Sequence, residues 1–135
     1  MKAVIRIFIT ISISAWLACQ NPDTLVDKTD GTLTGNVLPG EAANASGPIF
    51  VVASYTNELE EVNWQSQSTV LTRFGTYEIK ELAGGKYYIV ALLDANRNET
   101  LDSGEYWGGH DANGDGRLDY VMLAGGKRLV QDISF

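Results

Sequence analysis

The sequence predicts an all-β sandwich, and three observations carry that expectation. Short runs of alternating or near-continuous Val, Ile, Leu, Phe and Tyr recur along the chain. Turn signals built from Gly, Pro, Asn and Asp separate them at intervals of about eight to twelve residues, and no long amphipathic helical pattern is present.

Taken in order, the first run is GTLTGNVL from Gly31, where Leu33, Gly35 and Val37 alternate with polar residues until Pro39-Gly40 stops the strand. Glu41 to Gly47 is a loop of small residues. Pro48 to Tyr55 is almost continuously apolar and rich in β-branched and aromatic residues, which suits a buried strand. Asn57 to Trp64 fits one or two helical turns capped by Asn57, with Glu60 reaching back, and fits a loop equally well. Thr69 to Phe74 reads as another strand, turned by Gly75. Tyr77 to Leu82 then places Tyr77 and Ile79 inward and Glu78 and Lys80 outward, and Gly84-Gly85 predicts a hairpin turn.

Lys86 to Asp94 is the expected central strand, with Tyr87, Ile89, Ala91 and Leu93 on one face. Its other face carries Tyr88, Val90 and Leu92, too apolar for a solvated surface. Cover from elsewhere in the domain is the expectation, with a contact surface as the alternative. Tyr120 to Leu123 is a short strand, Gly125-Gly126 a turn, and Lys127 to Phe135 closes the sheet with Leu129, Ile133 and Phe135 on one side.

Between the central strand and Tyr120 lies DANRNETLDSGEYWGGHDANGDGRLD, two oxygen-rich loops in tandem. Counted from Asp94, oxygen-bearing side chains stand at positions one, three, five and nine (Asp94, Asn96, Asn98, Asp102), with Thr100 at seven and Glu105 at twelve. Counted from Asp111, the same positions hold Asp111, Asn113, Asp115 and Asp119, with Arg117 at seven. Both loops have leucine at eight, Leu101 and Leu118. A calcium ion takes six to eight oxygens at about 2.3–2.6 Å, and a chain that offers one at every second position can curl around it. The loops depart from that pattern in complementary ways. The first has Glu99 at position six, where the tight turn prefers glycine. The second has Gly116 there but ends in Met122, without a bidentate carboxylate. Two turns without metal are the plainer alternative; the repetition favours one or two structural Ca²⁺ ions, with the first loop the better site.

The N-terminus predicts export. Lys2 and Arg6 precede an apolar run, Ile7 to Ala18, too short to span a bilayer comfortably, and Cys19 follows directly. Leu17-Ala18-Cys19 resembles the lipobox of bacterial lipoproteins, in which the cysteine is lipidated and becomes the mature N-terminus; Trp16 stands where that family usually has leucine. Residues 1–18 are thus expected to be a signal peptide, 19–30 a polar tether and 31–135 a single domain. The chain would be held at an outer membrane or cell surface through Cys19, its only cysteine. Loss of the leader removes two of the 10 basic side chains and none of the 17 acidic ones, making the net charge more negative than −7. Such a field attracts divalent cations and excludes nucleic acid as a partner.

Gly47-Pro48-Ile49-Phe50-Val51, Tyr77-x-Ile79-x-x-Leu82, Gly85-x-Tyr87-x-Ile89-x-Ala91-x-x-Asp94 and Asp102-x-Gly104-Glu105 together are similar to prealbumin-like domains. These are the carboxypeptidase-regulatory-like and Cna B-type modules of bacterial secreted and surface proteins. The resemblance covers about Gly31 to Phe135 and implies a seven- or eight-stranded Greek-key sandwich, usually without catalysis. Some members carry a lysine–asparagine isopeptide crosslink. This chain has no lysine in its first strand and Asp132 in place of asparagine in its last. The second acidic loop looks like an addition to the family pattern.

No catalytic constellation is legible. His110 is the lone histidine, there is no phosphate-cradling glycine motif or zinc pattern, and the serines lack a readable partner base. A hydrolase would need a partly buried carboxylate in a cleft away from the acidic loops. The expectation is a non-enzymatic interaction or structural module, with a surface protein or polysaccharide as partner. The alternative is a carbohydrate-binding module in which Tyr106 and Trp107 stack on sugar rings. Because large aromatics more often serve burial, that pair is expected instead to form a lid pinning the two loops together.

Overall fold

The computed structural model describes residues 29–135; the leader at 1–18, Cys19 and most of the expected tether lie outside the described residues. Nine strands lie among the described residues: β1 (Gly31–Leu38), β2 (Ile49–Ser54), β3 (Ser68–Leu71), β4 (Gly75–Leu82), β5 (Gly85–Leu93), β6 (Tyr106–Gly109), β7 (Tyr120–Leu123), β8 (Arg128–Val130) and β9 (Ile133–Ser134). The fold is all-β, and the helical elements among the described residues are single 3₁₀ turns at Gly40–Ala42 and Leu59–Glu61. No helix among the described residues is long and apolar enough to cross a membrane.

The sheet runs β3-β2-β5-β6-β9-β1-β4, with β7 also on β5 and β8 also on β1. It curls into two layers joined at one corner by the single pairing of Gly109 with Ser134. One layer holds β3, β2, β5 and the β6/β7 edge; the other holds β4, β1 and the β8/β9 edge. The nine segments occupy seven sheet positions, because β6 and β7 share one edge of β5 while β8 and β9 share one edge of β1.

The alternating residues meet between the layers. Leu33 and Val37, Val51 and Ala53, Tyr77 and Ile79, Tyr87 and Ile89, and Ile133 form one buried core. Strict alternation on β4 would point Leu82 outward. A bulge corrects it: Glu81 takes φ 62°, and the register with β1 shifts between the Gly31–Leu82 and Leu33–Ile79 pairs, which turns Leu82 into the core.

Gly84-Gly85 is not a hairpin turn. β4 pairs with β1 and β5 with β2, β6 and β7, so the connection is a corner between layers. Both strands carry large apolar residues on the face they turn to the core, and the chain satisfies both by stacking them face to face. The corner is tight enough that a Cβ on Gly84 would lie 2.7 Å from the backbone nitrogen of Gly125 in the opposite β7–β8 corner.

A second, smaller cluster covers the outer face of β2 and β5. Val90 and Leu92 are fully buried there with Phe50 and Val52, under Val62 and Trp64 from the β2–β3 connection and Leu118 from the second acidic loop. Leu101 from the first acidic loop packs against the same cluster. The apolar outer face of β5 is therefore covered from within the domain, with Tyr88 half-buried at its margin. Asn57 to Trp64 supplies that cover as a loop with one 3₁₀ turn, and no side chain caps the turn.

Candidate metal centre: two acidic loops on one strand edge

The two loops are placed by the same strand. The first, Asp94 to Glu105, is the connection from β5 to β6. The second, Asp111 to Asp119, is an excursion between β6 and β7, both of which pair with β5. Val90 pairs with Gly109 and Tyr88 with Tyr120, so Ile89 alone faces the whole stretch from His110 to Asp119. His110 closes its neck: its N–H donates to the Ile89 carbonyl at 3.1 Å, and its own carbonyl accepts the Asp119 N–H at 2.8 Å.

The loops share one skeleton. At position one, Asp94 accepts the N–H groups of Asn98 and Glu99 at 3.2 and 2.8 Å. Asp111 accepts those of Asp115 and Gly116 at 3.2 and 2.7 Å. At position three, Asn96 and Asn113 each accept the N–H of position five. At position five, Asn98 and Asp115 each accept the N–H of position seven, Thr100 and Arg117. The backbone is left-handed at positions four and six in both: Arg97 and Glu99 at φ 62° and 65°, Gly114 and Gly116 at 73° and 82°. Glu99 thus adopts the conformation for which glycine is preferred, at the steric cost a Cβ brings there.

Their surroundings differ. Asp94 is 0% exposed, while Asp111 is half-buried. The Asp94 backbone is tied to the start of β2, its N–H donating to the Pro48 carbonyl at 2.9 Å. Glu105 closes the first loop at position twelve, accepting the Asp102 N–H at 2.9 Å and the Asn96 N–H at 3.4 Å. Gln65 pins the same loop to the β2–β3 connection, its side-chain amide donating to the Glu99 carbonyl at 3.0 Å. The second loop is closed instead by Asp119, which accepts the Ala112 N–H at 2.7 Å. Met122, at its position twelve, lies in β7 and is exposed.

The side-chain amides of Asn96 and Asn98 both donate to one oxygen of Asp102, and these bonds hold its carboxyl below the usual carboxylate value. For Asp111, partial desolvation raises the value, and the N–H groups of Gly116, Gly114, Asp115 and Asn113 lower it by more. Among the described residues, no three Asp, Glu, His or Cys side chains come together closely enough to hold an ion by themselves. An ion in the first loop would therefore draw on amide and carbonyl oxygens as well. The donor set suits a hard cation: the Asn96 and Asn98 oxygens each accept one N–H and keep a second lone pair, and a backbone oxygen at position seven would come from Thr100.

Asp94 is the acid most withdrawn from water in the two loops. It is a fully buried carboxylate satisfied by two neutral N–H groups, and no Lys, Arg or His among the described residues forms an ion pair with it.

The chain matches no family model, and no curated protein or solved structure matches it either.

Tyr106 and Trp107 do not form a buried lid. They are 41% and 37% exposed, and the buried tryptophan of the domain is Trp64. Trp107 borders two clefts beside the second loop; Asn57, Glu58 and Glu60 line one of them and Arg117 lines both. The first three belong to the β2–β3 connection, where nothing in the sequence signalled a site. A cleft assembled from segments this far apart leaves no local spacing to read.

Proposed function

We propose that this protein is a non-catalytic, lipid-anchored, extracytoplasmic module of prealbumin-like type, whose acidic end is stabilised by calcium and whose role is structural or in surface interaction. The observation that carries the reading is Asp94, a fully buried carboxylate without a cationic partner among the described residues, at position one of a loop with oxygens at three, five, nine and twelve. Seven acids against two arginines between Asp94 and Asp119 repel one another, and a divalent ion offsets that repulsion. The apolar run before Cys19 supports export and lipidation. The closure by Glu105 favours the first loop as the stronger site.

Melting with calcium and with chelator tests this. A site with Kd near 10⁻⁴ M, suited to calcium outside the cell, adds about 2.7 kcal/mol at about 10 mM ion. That corresponds to a rise in melting temperature of roughly 10 °C or more. No heat on titrating calcium, together with superimposable melts in calcium and chelator, would falsify the reading.

A further inference from the structure

The geometry points to the clefts around Trp107 as a binding site for a neutral polysaccharide. Trp107 projects from β6 on the outer face, paired with Leu92, and keeps 37% of its surface exposed. A cavity of about 420 Å³ lies against it on the side of Asn57, Glu58 and Glu60, and one of about 170 Å³ on the side of Asp111 and Phe135. Both are lined by Trp107 and by Arg117 and Leu118 of the second loop, so this exposed tryptophan borders two solvent-open clefts. The larger cavity is within the range that holds small ligands, about 300–1,000 Å³.

The lining selects the ligand. An indole face offers a flat apolar surface of the size of a pyranose ring, whose axial C–H groups give one side of the sugar an apolar character. Among the residues lining the larger cleft, Glu58 and Glu60 can accept hydrogen bonds, Arg117 can donate and Asn57 can do both, which matches the alternating demands of vicinal hydroxyls. A purely apolar partner would strip water from these groups without replacing its hydrogen bonds. An anionic polymer would meet Glu58, Glu60 and Asp111 on a chain of net charge −7. A neutral sugar chain satisfies both conditions. This inference rests on the domain's being an interaction module and gives that module its partner; it does not depend on the ion. Tyr106, the neighbouring aromatic, lines neither cleft and is outside the site.

The test is depletion of the full-length chain from detergent solution by insoluble cellulose, xylan and mannan, with polygalacturonate gel as the anionic comparison. Binding to at least one neutral polymer and none to polygalacturonate is expected. Trp107→Ala should weaken it by about tenfold or more, Trp107→Tyr by only a few-fold, and Tyr106→Ala not measurably. Arg117→Ala should cost several-fold; it leaves the position-seven carbonyl in place, so it separates side-chain hydrogen bonding from any effect on the loop. Melting of each variant establishes that it is folded. No depletion by any neutral polymer, equal binding to polygalacturonate, or full retention by both folded Trp107→Ala and folded Arg117→Ala overturns the inference. A calcium-dependent melt without polymer binding sinks this site and leaves the calcium reading standing. Polymer binding by a calcium-indifferent protein does the reverse.

Discussion

The two acidic loops follow the same hydrogen-bonded course, yet they stand in different relation to the core. In the first, the position-one aspartate is fully buried at the end of the central strand, and the loop is clamped by Glu105 and Gln65. In the second, the position-one aspartate is half exposed, yet the leucine at position eight is the more deeply inserted, Leu118 at 6% exposure against a half-buried Leu101. That leucine also sits over Gly109, where an added Cβ would come within 2.5 Å of it. The first loop therefore carries its burden in a buried charge and the second in a buried side chain. A shared set of backbone turns does not imply identical energetics; what each loop is packed against decides them.

Four experiments separate the loops, beginning with the largest effect. Asp94→Ala should lower the melting temperature by roughly 10 °C and remove most of any calcium-dependent shift, because it deletes a fully buried carboxylate and leaves the Glu99 N–H without its acceptor at about 1–3 kcal/mol, while the Asn98 N–H keeps its bond to Asn96. Asp111→Ala should cost less, since its own carboxylate is only half-buried. Equal losses in thermal melts would break the contrast.

Next, Leu118→Ala should destabilise by about 2–4 kcal/mol, and Leu101→Ala by about half that, as read from denaturant unfolding. The reverse order would show that the first loop, not the second, completes the outer cluster. Position six gives a smaller and oppositely signed pair. Gly116→Ala should cost about 1 kcal/mol at φ 82°, whereas Glu99→Gly at φ 65° should be neutral or stabilising by several tenths of a kcal/mol. Destabilisation by Glu99→Gly would mean that its side chain contributes more than its backbone strain removes.

The smallest effect is acid sensitivity. Asp102 and Asp111 are both held below their ordinary value of 3.8 in the folded chain. The unfolded chain therefore binds more protons in that range, and the stability these groups contribute is present above the ordinary value and lost as pH falls through the folded values. Melting temperature in chelator should be level above about pH 5 and decline below about pH 4, with a shallower decline in Asp102→Asn and Asp111→Asn. A flat profile down to pH 2 would show that these hydrogen bonds leave no net mark on stability.

The sequence alone was enough to place the inward faces of β1, β4 and β5, because a period of two reports directly which side chains share a face of a strand. It also gave the repeated spacing of the acidic loops and the apolar outer face of β5 that something had to cover. Three features were not legible. The expected hairpin at Gly84-Gly85 is a corner between layers, since a glycine pair bends a chain without saying whether the next strand lies beside the last or across the core from it. The outer cover comes from Val62, Trp64 and the two position-eight leucines, and each of these looked local until packed. Trp107, expected to be buried with Tyr106, stays exposed, and Trp64 is the tryptophan that packs into the outer cluster with Leu118.

Local order in this chain is written by alternation, turn residues and oxygen spacing, all of which act over a few residues. Which layer a strand joins, which carboxylate loses its water and which aromatic keeps it were settled only by contacts between distant segments. Burial is a property of the assembled surface, and no stretch of sequence holds both sides of it.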